Sequence, residues 1–210
     1  MNKTLKRLSL MMMLATVCTQ SWGIDRQTLI NYAQSLKGKS KAELKSALHD
    51  LIQPKKILDY GSGNGHTWYG FYYSDRIAST NECINRYSNK KFYFPSNYKY
   101  SALSGMNIEH SFPKSWWGGA KNKAYQDLYH LYPSDSKANS SKSNYPMGIV
   151  TNVKSEDEGY DKVGTGTING QDSVQCWEPG DSFKGDFSRT YFYMAVTYSN
   201  LTYEKTGLLT

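Results

Sequence analysis

Helical periodicity in this chain is confined to its two ends and one short stretch between them. That distribution constrains the fold more than any other feature. Near the start, "SKAELKSALHDLIQP" opens with the capping pattern Ser40-x-x-Glu43. It then places Leu44, Ala47, Leu48, Leu51 and Ile52 on one helical stripe before Pro54, with His49 at the stripe's boundary. The preceding "DRQTLINYAQSLKG" stops at Gly38, a normal helix end. Near the far end, "GDFSRTYFYMAVTYSN" spaces Phe187, Tyr191, Met194, Ala195 and Tyr198 for a buried helix. In the middle, Pro133-Ser134-Asp135 is a helix-start signal. It predicts a short helix holding Lys137, Ala138 and Asn139, with Pro146 ending anything beyond it.

The remaining stretches read as short strands and loops. Residues 84–112 alternate Tyr/Phe/Ile runs with Asn/Ser/Lys turns, and 147–175 are rich in β-branched residues, Gly and Asn. In "DYGSGNGHTWYGFYYSDR" the spacing of Gly61, Gly63 and Gly65 fits neither a dinucleotide fingerprint nor a Walker loop. It predicts a flexible turn, with His66 in the loop, leading into an aromatic strand. Helices at the ends with strands between them make the class α+β.

The first 23 residues stand apart. Lys3, Lys6 and Arg7 precede an apolar run from Leu8 to Val17, and Ser21 and Gly23 lie near its end. This is the pattern of a secretory signal cleaved near Gly23, and the run is too short to span a bilayer. Bulky Val17 before Cys18 argues against a lipid anchor. Residues 24–210 are then expected as a single exported domain, secreted or periplasmic, with no membrane segment. In that compartment Cys83 and Cys176 are candidates for a disulfide, the alternative being two buried thiols.

The full chain has 25 Lys and Arg against 18 Asp and Glu, a formal charge of +7; without the three basic residues of the leader it is 22 minus 18, or +4. Residues 83–146 hold nine bases against Glu109, Asp127 and Asp135. A polyanion is the natural partner for such a segment. Eighteen tyrosines supply stacking surfaces as well as strand and core material.

The same basic segment contains "MNIEHSFPKSWWGG", with Glu109 beside His110. Hydrolysis of a phosphodiester needs a base for water and positive charge on the phosphate and leaving oxygen. A neutral histidine suits the first task and a hard divalent ion the second. In an extended strand, adjacent side chains point to opposite faces, so one can face an ion and the other a water.

Three stretches, "NIEHSFPKSWWGG" (107–119), "DLYHLYPSDSKANSSKSNYPMG" (127–148) and "WEPGDSFKGDFSRTYFYMAVTYSN" (177–200), resemble the endonuclease I family of exported bacterial nucleases, within the ββα-metal (His-Me finger) superfamily. The resemblance covers roughly residues 60–205. It implies a ββα-metal core with flanking helices and a metal-dependent endonuclease of low sequence specificity acting on DNA, with RNA also open. It implies His110 as general base, and Glu109 and Asn139 as ligands of Mg²⁺ or another divalent cation such as Ca²⁺ or Mn²⁺. Lys142 stands where the family usually has arginine, a phosphate contact. Arg189 matches a late-helix arginine that faces phosphate or locks the fold. Asp127 and Asn144 match supporting positions. Lys114 and Lys121 are expected to track backbone phosphates, and Trp116 either stacks a base or lies in the core.

Two departures accompany the resemblance. Tyr129 replaces a histidine that the family carries before His130. Family members also continue into an Arg/Asn/Gln-rich tail, whereas this chain ends "YEKTGLLT", so the tail is expected to be lacking. The protein is expected to act as a monomer. Two alternatives stay open at this point: a basic nucleic-acid-binding protein that has lost catalysis, and a metal-dependent phosphodiesterase for small substrates.

Overall fold

The computed structural model describes residues 24–201. The signal-like stretch and residues 202–210 lie outside them. Two compact units divide the chain between Ala47 and Leu48. In the first, helix α1 (Arg26–Tyr32) starts at Asp25, whose carboxylate accepts the Thr28 N–H at 3.0 Å and the Thr28 hydroxyl at 2.6 Å. Helix α2 (Lys41–Ile52) comes next, as the periodicity predicts. His49 at its boundary is half-buried and bonds the Val196 carbonyl at 3.0 Å.

The second unit takes in the end of α2 from Leu48, with His49, and continues into the glycine-paced turn. Gly61, Gly63 and Gly65 have φ of +113°, +123° and +78°, which a Cβ would oppose. They serve chain reversal. The expected aromatic strand after this turn is corrected to a helix. Thr67–Ser74 forms α3, burying Thr67, Trp68, Gly70 and Phe71. Trp68, Phe71 and Tyr72 are three and four positions apart, which is the helical interval, and this outweighs the β preference of aromatics. Gly70 lies against Leu58 and Leu128 so closely that an added Cβ would sit 2.9 and 2.6 Å from their methyls.

Short strands β1 (Arg76–Ile77), β2 (Glu82–Cys83) and β3 (Phe92–Tyr93) form an antiparallel sheet. Strand β4 (Met106–His110) runs into a loop carrying the one-turn helix α4 (Lys123–Gln126) and returns as β5 (Leu131–Asp135). The β4–β5 ladder pairs Glu109 with Tyr132 and His110 with Leu131. Pro133 sits within β5, opposite Ile108, rather than opening the helix; a two-stranded sheet tolerates a missing donor. Asp135 ends β5 and caps helix α5 (Ser136–Lys142), its carboxylate accepting the Lys137 and Ala138 N–H groups at 2.7 and 3.2 Å. A strand–strand–helix unit is thus continuous in sequence, and α5 packs back onto β4 and β5.

Strands β6 (Ile149–Asp157), β7 (Asp161–Ile168) and β8 (Gln171–Pro179) make an antiparallel sheet with bulges in β6. At Gly164 and Gly166 a Cβ would meet the Asn152 and Ile149 carbonyl oxygens at 2.0 and 1.8 Å, so β7 approaches this closely only as glycine. Helix α6 (Lys184–Thr197) closes the fold and buries Phe187, Thr190, Met194 and Thr197 along one stripe. The expectation of a disulfide is corrected here. Cys83 and Cys176 are free and buried. Cys83 packs among Trp68, Phe71 and Phe94, and Cys176 among Val150 and Ile168, in separate clusters. Each thiol does the work of a small apolar side chain.

Candidate active site

The β4–β5 ladder fixes strand parity, and strand parity separates Glu109 from His110. Both are buried, at 7% and 5% exposure, so their surroundings rather than solvent set their chemistry. His110 lies in a ring of aromatics. Its imidazole centroid is 4.6 Å from Tyr125, 5.5 Å from Tyr60, 5.5 Å from His130 and 6.3 Å from Trp117. Its Nε2 lies 3.0 Å from the Tyr125 carbonyl oxygen. A carbonyl only accepts, so Nε2 carries the hydrogen and Nδ1 carries the lone pair. Burial pushes the imidazole pKa down to about 3, and the nearby His130, Lys114 and Lys142 add to that, against the Tyr125 hydrogen bond. His110 is therefore neutral at ordinary pH, with Nδ1 free to take a proton.

His130, fully buried, repeats the arrangement. Its Nε2–H donates to the Ala124 carbonyl at 2.6 Å and its Nδ1 has no hydrogen-bond partner among the described residues. Burial holds its pKa down, to about 4. Local sequence does not mark Tyr60, Tyr125 and His130 as walls of this site. The signal is weak, since each touches His110 only through tertiary packing.

Glu109 faces the other side. Its Oε1 accepts from the Lys142 ammonium at 2.7 Å, and Lys142 is fully buried, 5.2 Å above the Trp177 ring. This corrects the expected phosphate contact: the Lys142 charge is spent on the carboxylate and does not reach solvent. The Glu109 Oε2 has no hydrogen bond among the described residues. Asn139 lies one turn before Lys142 on α5, the helix that packs on β4, and is half-buried with its amide unpaired among the described residues. Glu109 Oε2 and the Asn139 amide oxygen are hard oxygen donors on packed elements, a donor set that suits a hard divalent cation. Among the described residues no group of three His, Cys, Asp or Glu side chains converges to hold a metal.

The other site residues divide clearly. Trp116, 1% exposed, packs with Phe112 and Met194 and donates its indole N–H to the Asn144 carbonyl at 3.3 Å, so it is core and offers no face to a base. Asn144 also donates to the Ser115 hydroxyl at 3.2 Å, tying the end of α5 to the 114–117 turn. Asp127 accepts the Tyr193 and Tyr198 hydroxyls at 2.7 Å each, which fastens the turn before β5 to α6. Arg189 is exposed and paired with Asp186 at 2.6 Å, one turn away on α6. Lys114 and Lys121 are exposed, and Lys114 reaches over Tyr125, 5.3 Å from the ring. Arg86 joins the site's support without any local sequence signal. It bonds Asp75 at 2.6 Å and Asp186 at 3.2 Å and lies over Tyr132, the partner of Glu109 in the ladder.

Among the described residues no helix is long and apolar enough to cross a membrane. The chain matches known proteins over most of its length. It is 30% identical over 172 residues to an extracellular ribonuclease of Bacillus subtilis (strain 168), covering 80% of this chain and 53% of the relative. It is 32% identical over 169 residues to an extracellular ribonuclease of Bacillus amyloliquefaciens, again covering 80% and 53%. The chain thus spans about half the length of these relatives. The family model for Endonuclease I matches residues 40–208, which take in the whole β4–β5–α5 unit and α6, and the chain belongs to the Endonuclease I family.

Proposed function

We propose that the chain is an exported nuclease that hydrolyses phosphodiester bonds of nucleic acid with low sequence specificity, using a ββα-metal (His-Me finger) core. Both relatives are named extracellular ribonucleases, which supports secretion and puts RNA beside DNA as substrate. The observation that carries the reading is the divergence of Glu109 and His110 from one strand: a neutral base on one face and an oxygen donor on the other.

His110 Nδ1 takes the proton from the attacking water while Nε2–H stays on the Tyr125 carbonyl, so the ring cannot turn away. Negative charge from a bound phosphate raises the proton affinity of the imidazole as the reaction begins. Lys142 holds Oε1 of Glu109 and leaves Oε2, with the Asn139 amide oxygen, to hold the cation. Those two oxygens would hold a divalent ion, Mg²⁺ in the first instance, whose chemistry there would be to supply positive charge to the phosphate and the leaving 3′ oxygen. Lys114, which reaches over Tyr125 beside His110, and exposed Lys121 bind phosphates along the strand.

The test is incubation of the chain with plasmid DNA and with ribosomal RNA, with Mg²⁺ and with chelator. Cleavage that needs the ion and disappears in His110→Ala supports the reading. Retardation without cutting would identify a binding protein instead, and cleavage restricted to small diesters would identify a different phosphodiesterase.

A further inference from the structure

Five tyrosines gather on one surface of the second unit that the proposed chemistry does not use. Tyr69, Tyr72 and Tyr73 come from α3, and Tyr98 and Tyr100 from the loop after β3. Their rings touch in series. Tyr69 lies 4.9 Å from Tyr73 and 4.8 Å from Tyr100, Tyr72 lies 5.4 Å from Tyr98 in a stacked arrangement, and Tyr98 lies 5.6 Å from Tyr100. Phe94 supports them from beneath, 4.9 Å from Tyr98 and 2% exposed. Core aromatics bury their faces, but Tyr73 is 63% exposed and the other four are only half-buried.

Hydrogen bonds tie this cluster to the glycine-paced turn that follows Tyr60. The Gly63 N–H donates to the Tyr100 carbonyl at 2.8 Å, the Ala102 N–H to the Ser62 hydroxyl at 3.1 Å, and the Trp68 N–H to the Gly61 carbonyl at 3.0 Å. Tyr60, the residue before that turn, stacks on His110. From Tyr60 to Gly63 is at most about 11 Å of chain. The aromatic surface therefore begins within a few residues of the base.

Its charge suits a polyanion. Between residues 62 and 102 the acids are Asp75 and Glu82, and each is bonded to a base, Arg86 and Lys91 respectively. Arg76 lies over the Tyr72 ring at 4.3 Å, and Lys99 is exposed between Tyr98 and Tyr100. Neither is paired with an acid among the described residues. Rings for bases with cations between them for phosphates are the two components of a single-strand platform.

We propose that the Tyr69–Tyr72–Tyr73–Tyr98–Tyr100 surface, with Arg76 and Lys99, binds unpaired nucleotides flanking the bond to be cut, and so favours single-stranded over duplex substrate. The inference rests on the nuclease reading and specifies its substrate. A duplex already stacks its bases on one another and presents no free face to these rings.

The test measures binding of the full chain to a short labelled single-stranded RNA and to a blunt duplex of the same sequence, by fluorescence anisotropy in chelator so that nothing is cut. Tyr73→Ala and Tyr100→Ala are each expected to weaken single-strand binding by roughly 5- to 150-fold, the range for losing one stacked base. Duplex binding is expected to stay unchanged, and Tyr73→Phe to bind as wild type because the ring remains. Tyr73 is exposed, so its removal does not threaten the fold. Alanine variants that bind single strands as wild type does, or that lose both substrates equally, overturn the platform. If wild type still cuts with Mg²⁺ in that case, the platform alone falls. A wild type that neither binds nor cuts overturns the nuclease reading with it.

Discussion

Replacing Lys142 by methionine tests the site and the fold together. The side chain has comparable length, so the change removes charge with little change in shape. It leaves the Glu109 carboxylate, 7% exposed, without its 2.7 Å partner. Removing one member of a buried pair costs about 3–5 kcal/mol, because the remaining charge is uncompensated. For a chain of this size each kcal/mol shifts Tm by about 2–4 °C, so the variant should melt roughly 6–20 °C below wild type in chelator. Two controls separate the lost charge from lost packing. Lys142→Met combined with Glu109→Gln should recover much of the loss, since no unpaired charge then remains. If Glu109 also holds a divalent cation, Mg²⁺ should raise the Tm of Lys142→Met by more than it raises that of wild type. The assay is thermal unfolding followed by far-UV circular dichroism, with and without Mg²⁺. A Lys142→Met protein that melts with wild type in chelator would refute the pairing. An Mg²⁺ response identical in the two proteins would refute Glu109 as a ligand.

His110→Ala should lower cleavage of plasmid by roughly 10²- to 10⁴-fold, the usual contribution of a positioned base, with the melting curve showing that the fold survives. Because burial holds the His110 pKa near 3, kcat/KM in wild type should show no acid limb at the ordinary histidine value; a limb near pH 6.5 would contradict the buried neutral ring. Asp161 behaves oppositely. Burial pushes its carboxyl from 3.8 up to about 7, against the nearby Trp177 indole N–H. Below pH 3.8 both folded and unfolded chains hold the proton, and as pH rises toward 7 only the unfolded chain releases it, so stability is lost across that window, by at most about 4 kcal/mol. Urea unfolding at pH 4.5 and 7.5 should show a smaller pH difference in Asp161→Asn than in wild type, and equal differences would sink the assignment. With Cys83 and Cys176 both free and buried, a reducing agent should leave Tm unchanged; a drop would indicate a disulfide.

The features legible in the sequence are those that local rules decide. Strand parity alone separates Glu109 from His110, and the Asp135 cap marks the start of α5, because both are decided by neighbours in the chain. The late helix is legible for the same reason, its stripe of Phe187 and Met194 being periodic. Other features depend on groups distant in sequence. Lys142 meets Glu109 across 33 positions, and nothing near Lys142 distinguishes a lysine that faces a carboxylate from one that faces phosphate. Trp116 and Trp117 are adjacent and both buried, which only the packing of α6 decides. Cys83 and Cys176 lie in different clusters, and a pairing rule based on compartment says nothing about distance. In α3 aromatic composition points to a strand, whereas the intervals between Trp68, Phe71 and Tyr72 carry the right answer.

The β4–β5 ladder makes the two halves of the chemistry separately adjustable. The imidazole is enclosed by Trp117, Tyr125 and His130, all supplied by the segment that joins the two strands. The carboxylate is held by Lys142, whose ammonium in turn lies over the Trp177 ring, both supplied from beyond them. Changes in the joining segment can retune the proton acceptor while leaving the cation side untouched, and changes in α5 or β8 can do the reverse. A chain built this way can drift in pH response and in ion preference along independent routes, provided the register of five paired residues holds.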